Sequence, residues 1–244
     1  MSQMEETIYV REGQVHAKLE EAYAYKEPYT TIFAGLEFIV HPNVYNPEVF
    51  PSSHLMVNRW LRLIRAVKPN SLLEIGAGAG YLSILAALNG ANTVTATDIT
   101  SQAIANMQAN IDRYNLGDRI RTLYGSIFEP LHKNDRFDII FWNTPFNHIN
   151  KPLNELNELE RTLFDPGYIL TEIYIREAHK HLTKNGRLFL ETSKKLGNFA
   201  RLTELASKYG WLLKLFDDPE CAKEKSYGIY DDIDFGTYEL IKVE

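Results

Sequence analysis

A short apolar stretch runs into three alternating glycines and then into a second apolar stretch with helical character. The residues are Leu72-Leu73-Glu74-Ile75-Gly76-Ala77-Gly78-Ala79-Gly80, followed by Tyr81 to Leu88. This is the feature that most limits how the chain can fold. A buried strand must enter a turn whose backbone conformations are open mainly to glycine, and the turn must open a helix. Units of this kind build parallel sheets covered by helices. The chain on either side repeats the alternation.

From residue 54 onward, helix and strand patterns take turns. His54 to Val67 has helical period, with Met56, Trp60, Leu63, Ile64 and Val67 on one face, Ser52 or Ser53 as N-cap and Pro69 beyond the end. Ser71 to Ile75 is a strand. Gly80 to Leu88 is a helix stopped by Asn89-Gly90, and β-branched Thr93 to Asp98 is a strand. Ser101 to Tyr114 is a helix with Ile104, Met107, Ile111 and Tyr114 inward and Gly117 past its end. Arg119 to Tyr124 and Phe137 to Trp142 read as strands. Tyr168 to Leu182 reads as a helix stopped by Asn185-Gly186, before a strand at Arg187 to Thr192. A helix at Asn198 to Tyr209 and strands at Trp211 to Asp217 and Thr237 to Val243 complete the series.

The expected fold is therefore α/β: a Rossmann-like sheet of seven mostly parallel strands with helices on both faces. Asp218 to Gly236 has no helical period, so the last strand should run antiparallel to its neighbour. Residues 1–53 differ in character and read as an N-terminal extension of a domain at 54–244. They are Tyr-rich, and Thr30 to Val40 reads as a β-hairpin around Ala34-Gly35.

Composition narrows the class. At 244 residues, 45% hydrophobic and 24% charged, the chain is one large domain, or one with a decoration, built on a sizeable core. That excludes disorder and disulfide scaffolds. The N-terminus carries early acids and no apolar secretory core, and the longest uncharged apolar stretch, Tyr81 to Leu88, is too short for a bilayer. Cys221 is the single cysteine, which excludes an intrachain disulfide and fits a reducing compartment, so a cytoplasmic location is expected. Lys+Arg 26 against Asp+Glu 32 gives a net charge of −6, unlike a dedicated nucleic-acid binder.

The glycine turn points to a ligand. Glycines let backbone approach closely and expose N–H groups at a positive helix end. Dinucleotide folds use G-x-G-x-x-G, whereas here the third glycine comes two residues after the second. Glu74, two residues before Gly76, would repel a pyrophosphate and suits an ammonium group. Both features favour a cofactor containing an amino acid over NAD.

The run LEIGAGAG resembles the first motif of class I S-adenosylmethionine-dependent methyltransferases. The resemblance covers about residues 52–244. It implies S-adenosylmethionine as cofactor, held by Glu74, Gly76, Gly78 and Gly80, with Asp98 on the ribose hydroxyls and Ile99 on adenine. Asn143-Thr144-Pro145-Phe146, after the Phe137 to Trp142 strand, resembles the Asn-Pro-Pro-aromatic motif of the family's amino-group branch, which includes release-factor glutamine methyltransferases. The resemblance implies that Asn143 and the Thr144 carbonyl accept N–H groups from an amine or amide nitrogen, that Phe146 stacks on the planar acceptor, and that Pro145 shapes the turn. Thr144 stands where the motif has proline, which predicts a less rigid turn. Gly125-Ser126-Ile127-Phe128-Glu129-Pro130 is similar to the branch's Gly-Asp-Leu-Phe-x-Pro. It places Ser126 and Ile127 at the cofactor, with a hydroxyl replacing the usual carboxylate. Asn143 belongs to the cofactor set as well.

Tyr45 and Phe50, in the Pro-rich stretch 41–53, are candidate walls of the acceptor pocket, and His148 in the loop from Asn147 to Gly167 is a third substrate candidate. Glu155, Glu158 and Glu160 of that loop read as solvated. The function expected is methyl transfer to an amine or amide nitrogen of a small metabolite, a protein glutamine or a nucleobase. The alternative is a non-catalytic S-adenosylmethionine-binding protein. Residues 1–53 do not read as the helical bundle that release-factor enzymes use to grip their substrate.

Other signals read as structural. Arg59, Arg62, Arg65 and Lys68 form a basic stripe expected to face solvent. His179 and His181 are wrongly spaced for a metal pair, and no Cys/His cluster has zinc spacing. Asp231, Asp232 and Asp234 lack the Gly and Glu of a calcium loop. No metal is expected.

Overall fold

The computed structural model describes residues 15–50, 52–147, 149–216 and 235–243. Residues 15–23 form a helix, α1. A hairpin follows, β1 Tyr29–Phe33 and β2 Leu36–Val40. The core elements are α2 Ser52–Val67, β3 Ser71–Ile75, α3 Tyr81–Leu88, β4 Thr93–Asp98, α4 Ser101–Arg113, β5 Ile120–Tyr124 and β6 Phe137–Asn143. After β6 come a short helix α5, Glu158–Arg161, then α6 Ile169–Glu177, β7 Leu182–Ser193, α7 Phe199–Lys208, β8 Trp211–Leu215 and β9 Phe235–Lys242.

The seven-stranded sheet has the order β5-β4-β3-β6-β7-β9-β8. Every pairing from β5 to β7 is parallel, and β9 runs antiparallel to both β7 and β8. The Rossmann-like expectation is met, including the antiparallel last strand. The order reverses between β3 and β6, and a crevice beyond the strand carboxyl ends is expected at such a switch point. No described helix is long and apolar enough to cross a membrane.

Most boundaries agree within two residues, and the largest difference falls at a register shift between neighbouring strands. The helix expected over Tyr168 to Leu182 ends as α6 at Glu177 and closes with a 3₁₀ turn over Ala178–Lys180. Asn185-Gly186 does not stop a helix but lies inside β7. The β6–β7 register jumps there, from Phe137 opposite Leu182 to Ile139 opposite Arg187. A Cβ at Gly186 would sit 2.6 Å from the Phe137 carbonyl oxygen, so this bulge requires glycine. Helix α1 lies in a region with no expected helix. Cys221, Asp231, Asp232, Asp234 and His148 lie outside the described residues.

Three apolar clusters hold the molecule together. One lies between the sheet and α2, α3, α4 and the hairpin, and a second between the sheet and α6 and α7. The third joins α1 (Leu19, Ala22) to Val49, Phe50 and the segment 149–164 (Leu156, Leu159, Phe164). This third cluster makes a cap with its own interior. The hairpin turns at Ala34-Gly35 with positive φ at both residues, the geometry that suits strand twist in a two-residue loop. Phe33 and Phe38 are fully buried against Tyr81, at centroid distances of 5.0 and 4.8 Å.

Two buried asparagines fasten the hairpin to α4. Asn110 accepts the Ile39 N–H at 2.8 Å and donates to the Ile39 and Ala79 carbonyls at 2.8 and 2.9 Å. Asn106 accepts from the His41 N–H and donates to the Ile39 carbonyl. Asn110 thus ties the extension to the glycine turn. Replacing Asn110 with Ala takes this partner from the Ile39 N–H and the Ala79 carbonyl, while the Ile39 carbonyl keeps Asn106, and an orphaned group costs about 1–3 kcal/mol. Urea unfolding of Asn110→Ala should show a loss of at least about 1–3 kcal/mol, and an unchanged midpoint would mean the hairpin is held by its aromatic contacts alone.

Candidate active site

A cavity of about 250 Å³ opens beyond the carboxyl ends of β3, β4 and β6. Its floor is the glycine turn. Gly76, Gly78 and Gly80 all have positive φ, at 62°, 56° and 84°. Gly76 and Gly78 line the cavity, and a Cβ on Gly76 would lie 3.2 Å from Trp142 Nε1. Gly80 does not line it. A Cβ there would sit 2.8 Å from Met107 Cγ of α4.

Two buried carboxylates line the same end. The Gly78 N–H donates to Asp98 Oδ2 at 2.9 Å, and the Thr100 N–H and hydroxyl donate to Oδ1 at 3.0 and 3.2 Å. Thr100, not Asp98, caps α4, accepting from the Ala103 N–H. Burial pushes the Asp98 carboxyl up, and the hydrogen bonds from Gly78 and Thr100 oppose that rise. Glu74 is buried and accepts a hydrogen bond from the Ser83 hydroxyl. Burial raises its carboxyl to about 8, with Ser83 opposing the shift and Asp98 adding to it. Ile99, Ser126 and Ile127 also line the cavity, where the sequence motifs placed them. Ile127 is held at φ 49°.

The turn after β6 forms the opposite wall. Asn143, Thr144, Pro145 and Phe146 all line the cavity. The Asn143 side chain is half-buried and makes no hydrogen bond to any described residue. Thr144 does not loosen the turn as the sequence predicted. Its hydroxyl and N–H both donate to the Glu191 carbonyl, at 2.8 and 3.2 Å, so two hydrogen bonds to β7 do what a proline ring would do. Glu191 is itself fixed, its buried carboxylate accepting from Arg59 Nη2 at 2.8 Å and the Thr237 hydroxyl at 2.5 Å. Arg59 therefore leaves the solvated stripe expected of it and faces the sheet. At the far end of the turn, the Tyr168 hydroxyl donates to the Phe146 carbonyl at 3.3 Å. The Phe146 ring meets Phe235 edge to face at 5.2 Å.

The cap supplies the roof. Tyr45 and Phe50 line the cavity as expected, stacked at 5.3 Å, with the Tyr45 hydroxyl donating to the Phe50 carbonyl at 2.6 Å. Glu160 is not solvated. It closes a capping box with Asn157 and pairs with Lys151 at 3.1 Å. Trp142, Phe235, Lys18 and Arg161 also line the cavity and carried no local signal in the sequence. Only tertiary folding brings them there. Among the described residues no group of three His, Cys, Asp or Glu side chains is placed to hold a metal.

Against known proteins, residues 67–229 match the family of methyltransferase domains. The chain belongs to that family. The chain is 33% identical over 124 residues to a release factor glutamine methyltransferase of Bordetella pertussis, covering 49% of this chain and 45% of the relative. It is 31% identical to a ribosomal protein uL3 glutamine methyltransferase of Francisella tularensis, covering 65% of this chain and 52% of that one. The chain thus spans about half the length of these relatives. In fold it is similar to a methyltransferase from Pyrococcus furiosus, with a TM-score of 0.60, 20% identity and coverage of 95% and 99% of the two chains.

The residues fit S-adenosylmethionine, the cofactor implied by the glycine motif. Glu74 offers a carboxylate for an ammonium group, and Asp98 offers acceptors for paired hydroxyls. Thr97 lines the cavity, and its hydroxyl is buried with no hydrogen-bond partner among the described residues. Two tests follow. Gly78→Val puts a branched side chain at φ 56° facing Tyr45 Cβ, and should weaken binding of S-adenosylhomocysteine by at least about tenfold in calorimetry. Unchanged affinity in a folded variant would remove the turn from the site. A Glu74 carboxyl would attract an ammonium group only when ionised, so affinity should rise as pH climbs toward about 8 and the carboxyl loses its proton. Glu74→Gln should flatten that rise. In the unliganded protein the sign is opposite. A carboxyl raised on folding favours the folded state while protonated, so this contribution to stability is lost as pH climbs from the usual carboxylate range through about 8.

Proposed function

We propose that the protein transfers a methyl group from S-adenosylmethionine to an amine or amide nitrogen, on a surface made by Asn143, Thr144, Pro145 and Phe146. The observation that carries this reading is a half-buried Asn143 side chain, with no hydrogen-bond partner among the described residues, on a turn that Thr144, Glu191 and Tyr168 hold in place. The relatives named as glutamine methyltransferases support a nitrogen acceptor. We assign cofactor contacts to Glu74, Gly76, Gly78, Asp98, Ile99, Ser126 and Ile127, and walls of the acceptor pocket to Tyr45 and Phe50. On this reading the extension at 1–53 covers a site built by 54–244.

The bound cofactor supplies an electrophilic methyl group on a sulfonium. The protein's part is to orient the nitrogen. A planar nitrogen has a lone pair tied up in conjugation. The Asn143 side-chain oxygen and the Thr144 backbone carbonyl accept its N–H groups and turn the lone pair toward the methyl. Phe146, steadied by Phe235, gives the planar group a face to stack on. The nitrogen proton becomes acidic once the new N–C bond forms, so no strong base is needed at the turn. Catalysis is then positioning and electrostatics.

The acceptor class is found by incubating the protein with labelled S-adenosylmethionine and a panel of small amines, a release factor and ribosomal RNA, and then mapping the product methyl. With the acceptor identified, Asn143→Ala should lower turnover by roughly 10²–10³-fold while S-adenosylhomocysteine affinity stays nearly constant. Asn143→Asp, which keeps an oxygen acceptor, should retain more activity than Ala. A methyl group mapped to oxygen or carbon would overturn the nitrogen assignment, and full activity in Asn143→Ala would overturn the role of that residue.

A further inference from the structure

The charges around the cavity are sorted by origin. Its two lining acids, Glu74 and Asp98, come from strand tips beside the glycine turn. Its two lining cations, Lys18 and Arg161, come from α1 and α5 of the cap. Between them the lining is largely apolar, with Phe146, Leu163 and Phe235 near the turn after β6. Asn147 brings Arg161 close to that turn, because its N–H and side-chain amide both donate to the Leu163 carbonyl, at 3.2 and 3.1 Å.

Arg161 is held in an unusual way for a surface cation. Its Nε donates to the Leu156 carbonyl at 3.1 Å, which fixes the stem of the guanidinium. Among the described residues no carboxylate pairs with it, although Glu160 is its neighbour in sequence. The Glu160 carboxylate is already committed to Lys151 and to the Asn157 N–H. Arg161, its guanidinium held at Nε, is only partly exposed and is among the residues lining the mostly apolar cavity. A guanidinium fork matches a carboxylate or phosphate.

We propose that the acceptor is a small planar amine or amide that also carries a carboxylate or phosphate, and that Arg161 recognises this anionic group from the cap, with Lys18 as a second cation at the rim. The inference rests on the methyl-transfer reading above and names the substrate class of that site. The cap favours a small molecule, since α1, residues 45–50 and the segment 149–164 close over the cavity with an interior of their own. The ring of the acceptor would lie against Phe146 with its nitrogen at Asn143.

The test uses the full chain saturated with S-adenosylhomocysteine and three probes that share one ring: benzoate, phenyl phosphate and benzamide. Calorimetry should show benzoate or phenyl phosphate binding at least about tenfold more tightly than neutral benzamide. The ratio between the two anions tells carboxylate from phosphate. Arg161→Gln should abolish that preference, Arg161→Lys should keep part of it, and Lys18→Gln should reduce it. None of these should change S-adenosylhomocysteine affinity more than about twofold. The proposal fails if the anions bind no better than benzamide, or not at all, in a wild-type protein that binds S-adenosylhomocysteine. It also fails if Arg161→Gln weakens S-adenosylhomocysteine instead, which would give the guanidinium to the cofactor's own carboxylate. Absence of S-adenosylhomocysteine binding by the wild type would overturn the methyl-transfer reading itself and is seen separately.

Discussion

The Asp98 carboxylate accepts the Gly78 N–H with one oxygen and the Thr100 N–H and hydroxyl with the other. This one carboxylate joins the end of β3, through the glycine turn, to the end of β4 and the start of α4. A buried charge needs such partners, because an unpaired carboxylate in an apolar interior costs several kcal/mol. The same bonds that stabilise Asp98 fix the curvature of the turn. The cavity floor follows from that geometry, and so does the direction in which α3 and α4 leave the sheet.

A second set of bonds does for the turn after β6 what Asp98 does for the glycine turn. The Glu191 carbonyl receives both donors of Thr144, while its carboxylate is held by Arg59 and Thr237. Three separate elements, α2, β7 and β9, thereby converge on the turn after β6. The Thr144 substitution shows how a local rule can be replaced by a tertiary one. Proline stiffens a backbone by covalent restriction of φ. Threonine achieves a comparable hold with two hydrogen bonds, provided a carbonyl is in reach. The parallel register that sets Asn143 opposite Glu191 puts it there.

The cap lines one side of the cavity above the Rossmann-like sheet. Its interior is small and separate from the two layers on the sheet, so its parts depend on one another more than on the sheet. Phe50 belongs both to that interior and to the cavity wall. Rearrangement of the cap would therefore be felt directly at the site.

The sequence by itself determined the alternation of strands and helices, the glycine turn, the acid at the tip of β4 and the motif after β6. Each of these is a local pattern: a period of apolar residues, a backbone conformation open to glycine, or a short run at a strand end. The tertiary structure alone set Gly80 against Met107 of the next helix. It alone turned Arg59 inward and set Lys18, Arg161 and Phe235 around one cavity. Contacts between residues distant along the chain leave no periodic mark, because the register and crossing of whole elements determine them. The bulge at Gly186 misled the sequence reading for the same reason, since its cause is a carbonyl on the neighbouring strand and not anything in the segment itself.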